Sequence, residues 1–138
     1  MAEREHRRVM ATGTFDILHP GHIFYLEEAK SWGDELIVIL ARDSLSNPIV
    51  PEEQRLKVIS SLKPVDKAEL GSEESMMDPV AKFKPDLIAL GPDQDWRGNE
   101  ISKKLRERGL DVEVKRVNKY KECELCSTSK IIEKIKDL

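Results

Sequence analysis

The chain has 138 residues, room for one domain with a real core and too few for two. Its net charge of −3, with charged residues at 36 % and both signs interspersed, gives no global reason to expect a nucleic-acid partner. No apolar run approaches the roughly 18 residues a membrane span needs, and the polar opening MAEREHRR lacks the apolar core of a secretory signal. The expected compartment is therefore the cytoplasm.

In chain order, Val9 to Ala11 is a short apolar segment that fits a buried strand. Pro20 to Trp32 then spaces Ile23, Leu26, Ala29 and Trp32 as a helix does, and Gly33 ends it. Leu36 to Ala41, LIVILA, is a continuous apolar run of the kind found in a parallel strand covered on both faces. Pro51 opens a second helix with Glu52 and Glu53 in its first turn and Leu56, Ile59 and Leu62 inside. A weaker strand at Lys67 to Leu70 stops at Gly71, and a helix follows over Ser75 to Phe83, started or kinked by Pro79. Asp86 to Gly91, DLIALG, is the next clear strand, and Ile101 to Arg108 is a helix that stops at Gly109. Val112, Val114 and Val117 mark a last strand, at a sheet edge because charges interleave it. Ser127 to Leu138 is an amphipathic helix carrying Ile131, Ile132, Ile135 and Leu138.

No repeat, low-complexity tract or linker interrupts this alternation, so residues 1–138 are read as a single domain. Strands alternating with helices predict an α/β fold with right-handed crossovers and a doubly wound sheet of about five parallel strands, helices on both faces. Ligands of such sheets bind beyond the carboxyl ends of the strands, where the strand order reverses. That rule points to GTFD after the first strand, ARD after the second and GPDQDW after the fourth.

Gly13 to His22 read GTFDILHPGH, with two histidines three residues apart where the first strand hands over to a helix. Free N–H groups and the helix dipole favour an anion there, and Gly13, lacking a side chain, is expected to let a ligand approach the backbone. A zinc site fits less well, because Asp16 is the nearest third ligand and no open-site pattern follows. A plain helix cap and an acid–base pair also remain open on these residues alone.

GTFDILHPGH closely resembles the G-T-F-D-x-x-H-x-G-H signature of the cytidylyltransferase-like nucleotidyltransferases, Rossmann-like α/β enzymes that move a nucleotidyl group onto a phosphate or alcohol. GPDQDW and STSKI fall where that family has its other motifs, so the resemblance covers nearly the whole chain. It implies nucleotide-phosphate contacts for Gly13, Thr14, Phe15 and Asp16, with Gly21 in the same loop, and stabilisation of the reacting phosphoryl group by His19 and His22. Phe15 is equally a core candidate. It implies that Ser127, Thr128 and Ser129 hold the β and γ phosphates, a role compatible with capping the last helix. Gly91, Asp93 and Gln94 match the segment along the base and ribose, and Asp43 matches a position beside the acceptor. Trp96 is placed either to stack on a flavin or adenine ring or to pack at the surface.

Two departures concern charge. The family's arginine ahead of S-T-T-K is replaced within KYKECELC, leaving Lys119 and Lys121 as substitutes. The loop after the second strand, RDSLSNPIVP, is short and lacks the family's lysine, which makes Arg55 the nearest other cation for the triphosphate. Among subfamilies, ARD, PIVPEEQR, LKPVDKA and LGPDQ look most like archaeal FAD synthetases, which adenylylate FMN with ATP. The resemblance implies a divalent metal such as Mg2+ and a homodimer. Glycerol-phosphate cytidylyltransferases look similar at GTFD and STSK but differ at GPDQDW, and a nucleotide-binding module without catalysis is a further alternative. Cys123 and Cys126 have the spacing of a zinc half-site or a redox pair, but no second cluster completes the former. They are read as two reduced thiols beside the nucleotide site, where oxidation is expected to inhibit.

Overall fold

The computed structural model describes residues 6–75, 77–92, 98–118 and 122–138, with the backbone alone at 98 and 99. The elements run β1 (Arg8–Gly13), α1 (Pro20–Ser31), β2 (Glu35–Leu40), α2 (Asp43–Ser46), α3 (Glu52–Ser60), β3 (Lys67–Leu70), α4 (Met77–Phe83), β4 (Leu87–Leu90), α5 (Gly98–Glu107), β5 (Glu113–Arg116) and α6 (Thr128–Lys136). The strands form one five-stranded parallel sheet in the order β3-β2-β1-β4-β5. The expected α/β architecture is therefore the observed one, with β5 at an edge as its interleaved charges indicate.

Each face of the sheet has its own core. Alternate residues Val9, Ala11, Leu36, Val38, Leu40, Leu87 and Ala89 pack with Tyr25, Leu26 and Ala29 of α1 and Ile59 of α3. The intervening Met10, Ile37, Ile39, Ile88 and Leu90 pack with Met77, Val80 and Phe83 of α4 and Ile101 and Leu105 of α5. This two-sided cover explains the unbroken apolar run of β2, in which every residue from Leu36 to Leu40 is buried.

The expected boundaries shift for local reasons. Ser75 lies ahead of α4, and its hydroxyl accepts the Met77 N–H. Pro79 then falls in the first turn, where a missing N–H breaks no helical bond. The four-residue α2 was not expected; it has no buried residue and so no apolar period to reveal it.

The two ends of the sheet differ. At the amino end, the carboxylates of Asp34, Asp86 and Asp66 accept from the N–H groups of Arg7, Arg8 and Leu36, tying the starts of neighbouring strands together. At the carboxyl end, Gly13 pairs with Leu40 and Leu40 with Leu70, so the loops after β1, β2 and β3 leave from one level. The strand order reverses between β1 and β4, which puts the expected crevice beside GTFD and Gly91. Among the described residues, no helix is long and apolar enough to cross a membrane.

Candidate active site at the carboxyl ends of the strands

β1 ends in a sharp turn. Phe15 has φ 52°, the left-handed region a bulky residue enters only when its surroundings hold it there. What holds it is burial: the ring is 4 % exposed and packs near the rings of Tyr25 and His22, with centroids 6.3 and 5.5 Å away. Phe15 is thus a core residue. Gly13 serves that packing, because a Cβ there would lie 2.8 Å from Phe15 Cε2. The expectation that Gly13 leaves room for a ligand is corrected: the phenyl ring takes that room.

The two histidines form a reciprocal cap at the start of α1. His19 is the N-cap, and its Nδ1 accepts from Gly21 N–H at 3.0 Å; His22 Nδ1 accepts from His19 N–H at 3.3 Å. A backbone N–H can only donate, so both Nδ1 atoms are unprotonated and each neutral ring carries its proton on Nε2. The ring centroids are 3.9 Å apart. Burial lowers the pKa of His19. His22 is pushed down to about 4, first by burial and then by its neighbour His19, against a smaller opposing pull from Asp16. Near neutrality the pair is therefore two uncharged N–H donors at a helix amino end.

The second helix amino end comes from α6. Ser127 caps it, accepting from Lys130 N–H at 3.2 Å, and its Oγ lies 3.2 Å from that of Ser129. The Thr128 hydroxyl donates to Ile17 O at 3.3 Å, tying α6 to the loop that leads into α1. Gly21 is required at this seam, since a Cβ would meet His19 Cε1 at 2.7 Å and Cys126 O at 3.3 Å. Ser127, Thr128, His19 and His22 are thus brought together, although about a hundred residues separate them in the chain. Two converging helix amino ends, with hydroxyl and imidazole donors, suit a polyanion.

Asp16 and Arg55 shape this region indirectly. The Asp16 carboxylate accepts the N–H groups of Ile49 and Val50, at 2.9 and 2.8 Å, and so holds the loop after α2. Arg55 was expected as a phosphate contact, and that is corrected. Its side chain is fully buried and donates to Val50 O, Thr14 O, Ala41 O and the Asp43 carboxylate, all within 2.9 Å. The guanidinium clamps the loops after β1 and β2 together. Asp43, expected beside the acceptor, is the anionic end of that clamp; hydrogen bonding to Arg55 holds its carboxyl below the usual range.

Gly91 is buried at the end of β4, and its carbonyl accepts from Arg116 Nη1 at 2.7 Å. Arg116 is a cation at the carboxyl edge that the interleaved charges of an edge strand conceal. Its signal was the inward register it shares with Val112 and Val114. Asp93, Gln94, Trp96, Lys119 and Lys121 lie outside the described residues. Cys123 and Cys126, expected as reduced thiols, are joined by a disulfide. Their Cα atoms are 5.2 Å apart, within the reach of such a bridge. Among the described residues, no group of three or more His, Cys, Asp or Glu could hold a metal ion.

Comparisons with known proteins bear on the fold and the family. The Cytidylyltransferase-like family profile matches residues 10–134. An "FAD synthase" of Archaeoglobus profundus is 55 % identical over 135 residues, covering 95 % of this chain and 87 % of the relative. Another of that name, from Methanothermobacter marburgensis, is 56 % identical over 140 residues, covering 96 % of this chain and 87 % of that one. A solved structure described as the lipopolysaccharide core biosynthesis protein from Thermoplasma volcanium is 49 % identical with a TM-score of 0.82, over 85 % of this chain and all of that one. Pantoate-beta-alanine ligase from Francisella tularensis shares the fold at 16 % identity and a TM-score of 0.63, over 93 % of this chain and 65 % of its own. The profile spans both the histidine pair and the helix end that faces it, and the chain belongs to the cytidylyltransferase-like family.

Proposed function

We propose that this protein transfers the adenylyl group of ATP to the phosphate of FMN, giving FAD and pyrophosphate. The observation that carries the chemistry is the neutral His19–His22 pair at the start of α1, against which the capped end of α6 is packed. The choice of substrates rests on the relatives named FAD synthase.

The FMN phosphate is already anionic near neutral pH and needs no general base. In-line attack on the α-phosphorus builds negative charge on its nonbridging oxygens, while the bond to the pyrophosphate oxygen breaks. His19 and His22, each with a proton on Nε2, donate hydrogen bonds to those oxygens and need transfer no proton. Ser127, Thr128, Ser129 and the amino end of α6 hold the β and γ phosphates, and Gly91 lies beside the base and ribose. A divalent ion such as Mg2+ enters with the nucleotide as part of the substrate. Such ions are held largely by phosphate oxygens and water, so the site needs no cage of protein ligands. The enzyme is expected to work in the cytoplasm as a homodimer.

Pyrophosphate release with ATP and FMN, accompanied by FAD, is the expected result. Release only with CTP and glycerol phosphate would replace the substrates, and release with neither pair would leave a nucleotide-binding module. His22→Ala should lower turnover by about 100-fold or more, as loss of one oxyanion donor does. Wild-type turnover in that variant, with circular dichroism unchanged, would remove the role.

A further inference from the structure

Among the described residues, the exposed large hydrophobic side chains are Leu45, Ile49, Val58, Ile135 and Leu138. Ile135 and Leu138 lie toward the end of α6 remote from the histidines, and Val58 is on α3. Leu45 and Ile49, 58 % and 65 % exposed, are different: both lie in the connection from β2 to α3 at the carboxyl edge, Leu45 on α2 and Ile49 just after it.

That loop is held by specific bonds. Asp43 N–H donates to Glu52 Oε1 at 2.9 Å, and Glu52 N–H donates back to Asp43 Oδ2 at 3.2 Å, which closes its two ends on each other. Asn47, at φ 45°, turns the chain while its N–H returns to Asp43 O. Asp16 takes both N–H groups at Ile49 and Val50, and buried Arg55 takes Val50 O and Asp43. A slack loop could fold its aliphatic side chains back onto the core. This one holds two of them in solvent, where each forgoes the gain of burial.

The loop is also tied to the reaction centre through its backbone. The carboxylate that anchors Ile49 belongs to Asp16, three residues before His19, and its charge reaches the His22 imidazole. The side chains of this loop, Asp43 to Val50, include no cation, so they suit the uncharged end of an acceptor and not its phosphate. An acceptor with a phosphate at one end and a flat apolar heterocycle at the other fits that division. A small phosphoalcohol would leave the aliphatic pair in water.

We propose that Leu45 and Ile49 form the seat for the aromatic ring system of the acceptor, so that the loop from Asp43 to Val50 selects an isoalloxazine-bearing phosphate. This rests on the FMN reading above. The test compares the wild type with the double variants L45S/I49S and L45M/I49M. The readouts are KM for FMN, KM for ATP, kcat, FMN binding by flavin fluorescence, and sedimentation. In the serine variant, KM for FMN and the FMN dissociation constant should rise about 10-fold or more, the scale of discrimination an apolar pocket supplies. KM for ATP and kcat should stay within about twofold, and the methionine variant should restore FMN binding. Both positions are exposed, and an unchanged melting temperature will show that the serine variant folds; the single variant I49S serves if it does not. A serine variant that binds FMN as the wild type does would overturn the proposal. So would a variant that changes only the sedimentation of the protein, which would make the patch a contact between copies. A wild type that makes no FAD would overturn the FMN reading and this proposal with it, and that outcome is read before any variant is made.

Discussion

His22 sits in a chemical environment that its sequence neighbours alone do not create. Burial and the adjacent His19 ring hold its pKa near 4, while the imidazole of an unfolded chain titrates near 6.5. Above pH 6.5 the ring is neutral in both states and pH has no leverage on folding through it. As pH falls from 6.5 toward 4, the unfolded chain binds a proton that the folded ring resists, so stability is lost across that window and levels off below it. The His22 Cε1 proton resonance should therefore titrate with a midpoint near 4 in the free protein. Bound ATP should move that midpoint upward, because a phosphate favours the charged ring. A free-protein midpoint near 6.5 would contradict the buried, neutral pair. GTFDILHPGH by itself left a metal, an acid–base pair, a cap and an anion site open. The folded site favours donors because both Nδ1 atoms are already committed to backbone N–H groups.

Among the elements, α3 shows how a helix can be legible while its key residue is misread. Pro51, the early glutamates and the spacing of Leu56 and Ile59 mark the helix, and Ile59 is buried as that spacing implies. Arg55 falls on the inward side too, where a cation is unexpected. It is tolerated because three carbonyls and one carboxylate receive its N–H groups. Arg55→Ala should cost roughly 3 kcal/mol or more, since each buried carbonyl left without a donor costs about 1–3 kcal/mol. Arg55→Lys should recover only part of that loss, because an ammonium cannot reproduce the planar fork. Urea unfolding monitored by circular dichroism measures both. Stabilities within about 0.5 kcal/mol of wild type would show that the clamp is not needed. The same variants should raise the hydrogen-exchange rates of the Ile49 and Val50 amides, because the loop they belong to loses the bond at Val50 O.

Across the whole molecule, the crevice depends on β1 and β4 staying in register where the strand order reverses. Tyr25 of α1 reaches that seam: its buried hydroxyl donates to Ala89 O of β4 at 2.7 Å and lies 3.3 Å from Thr12 N of β1. Burial raises its pKa, so it remains a protonated donor under all ordinary conditions. Tyr25→Phe keeps the ring and removes the link, leaving Ala89 O short of a partner outside the sheet ladder. A loss of about 1–2 kcal/mol is expected, seen as a fall in Tm of roughly 3–8 °C. An unchanged Tm would show that the sheet alone holds the seam.

Most of the strands and helices are legible along the chain, because one-sided burial leaves apolar periods near 2 or 3.6 and two-sided burial an unbroken apolar run, whereas α2, with no buried residue, leaves no such mark. The motifs of the sequence also point to one edge of the parallel sheet, where the GTFDILHPGH and STSKI stretches meet in the fold. The contacts of these residues came from packing between distant segments. The fold packed Phe15 over Gly13, buried Arg55 as a clamp, turned Asp16 toward the Ile49 amide, and brought Cys126 against Gly21. It also left Leu45 and Ile49 in solvent on a braced loop. The reason is physical: periodicity reports whether a side chain is buried, but the partner that satisfies a buried charge comes from contacts between segments far apart in the chain.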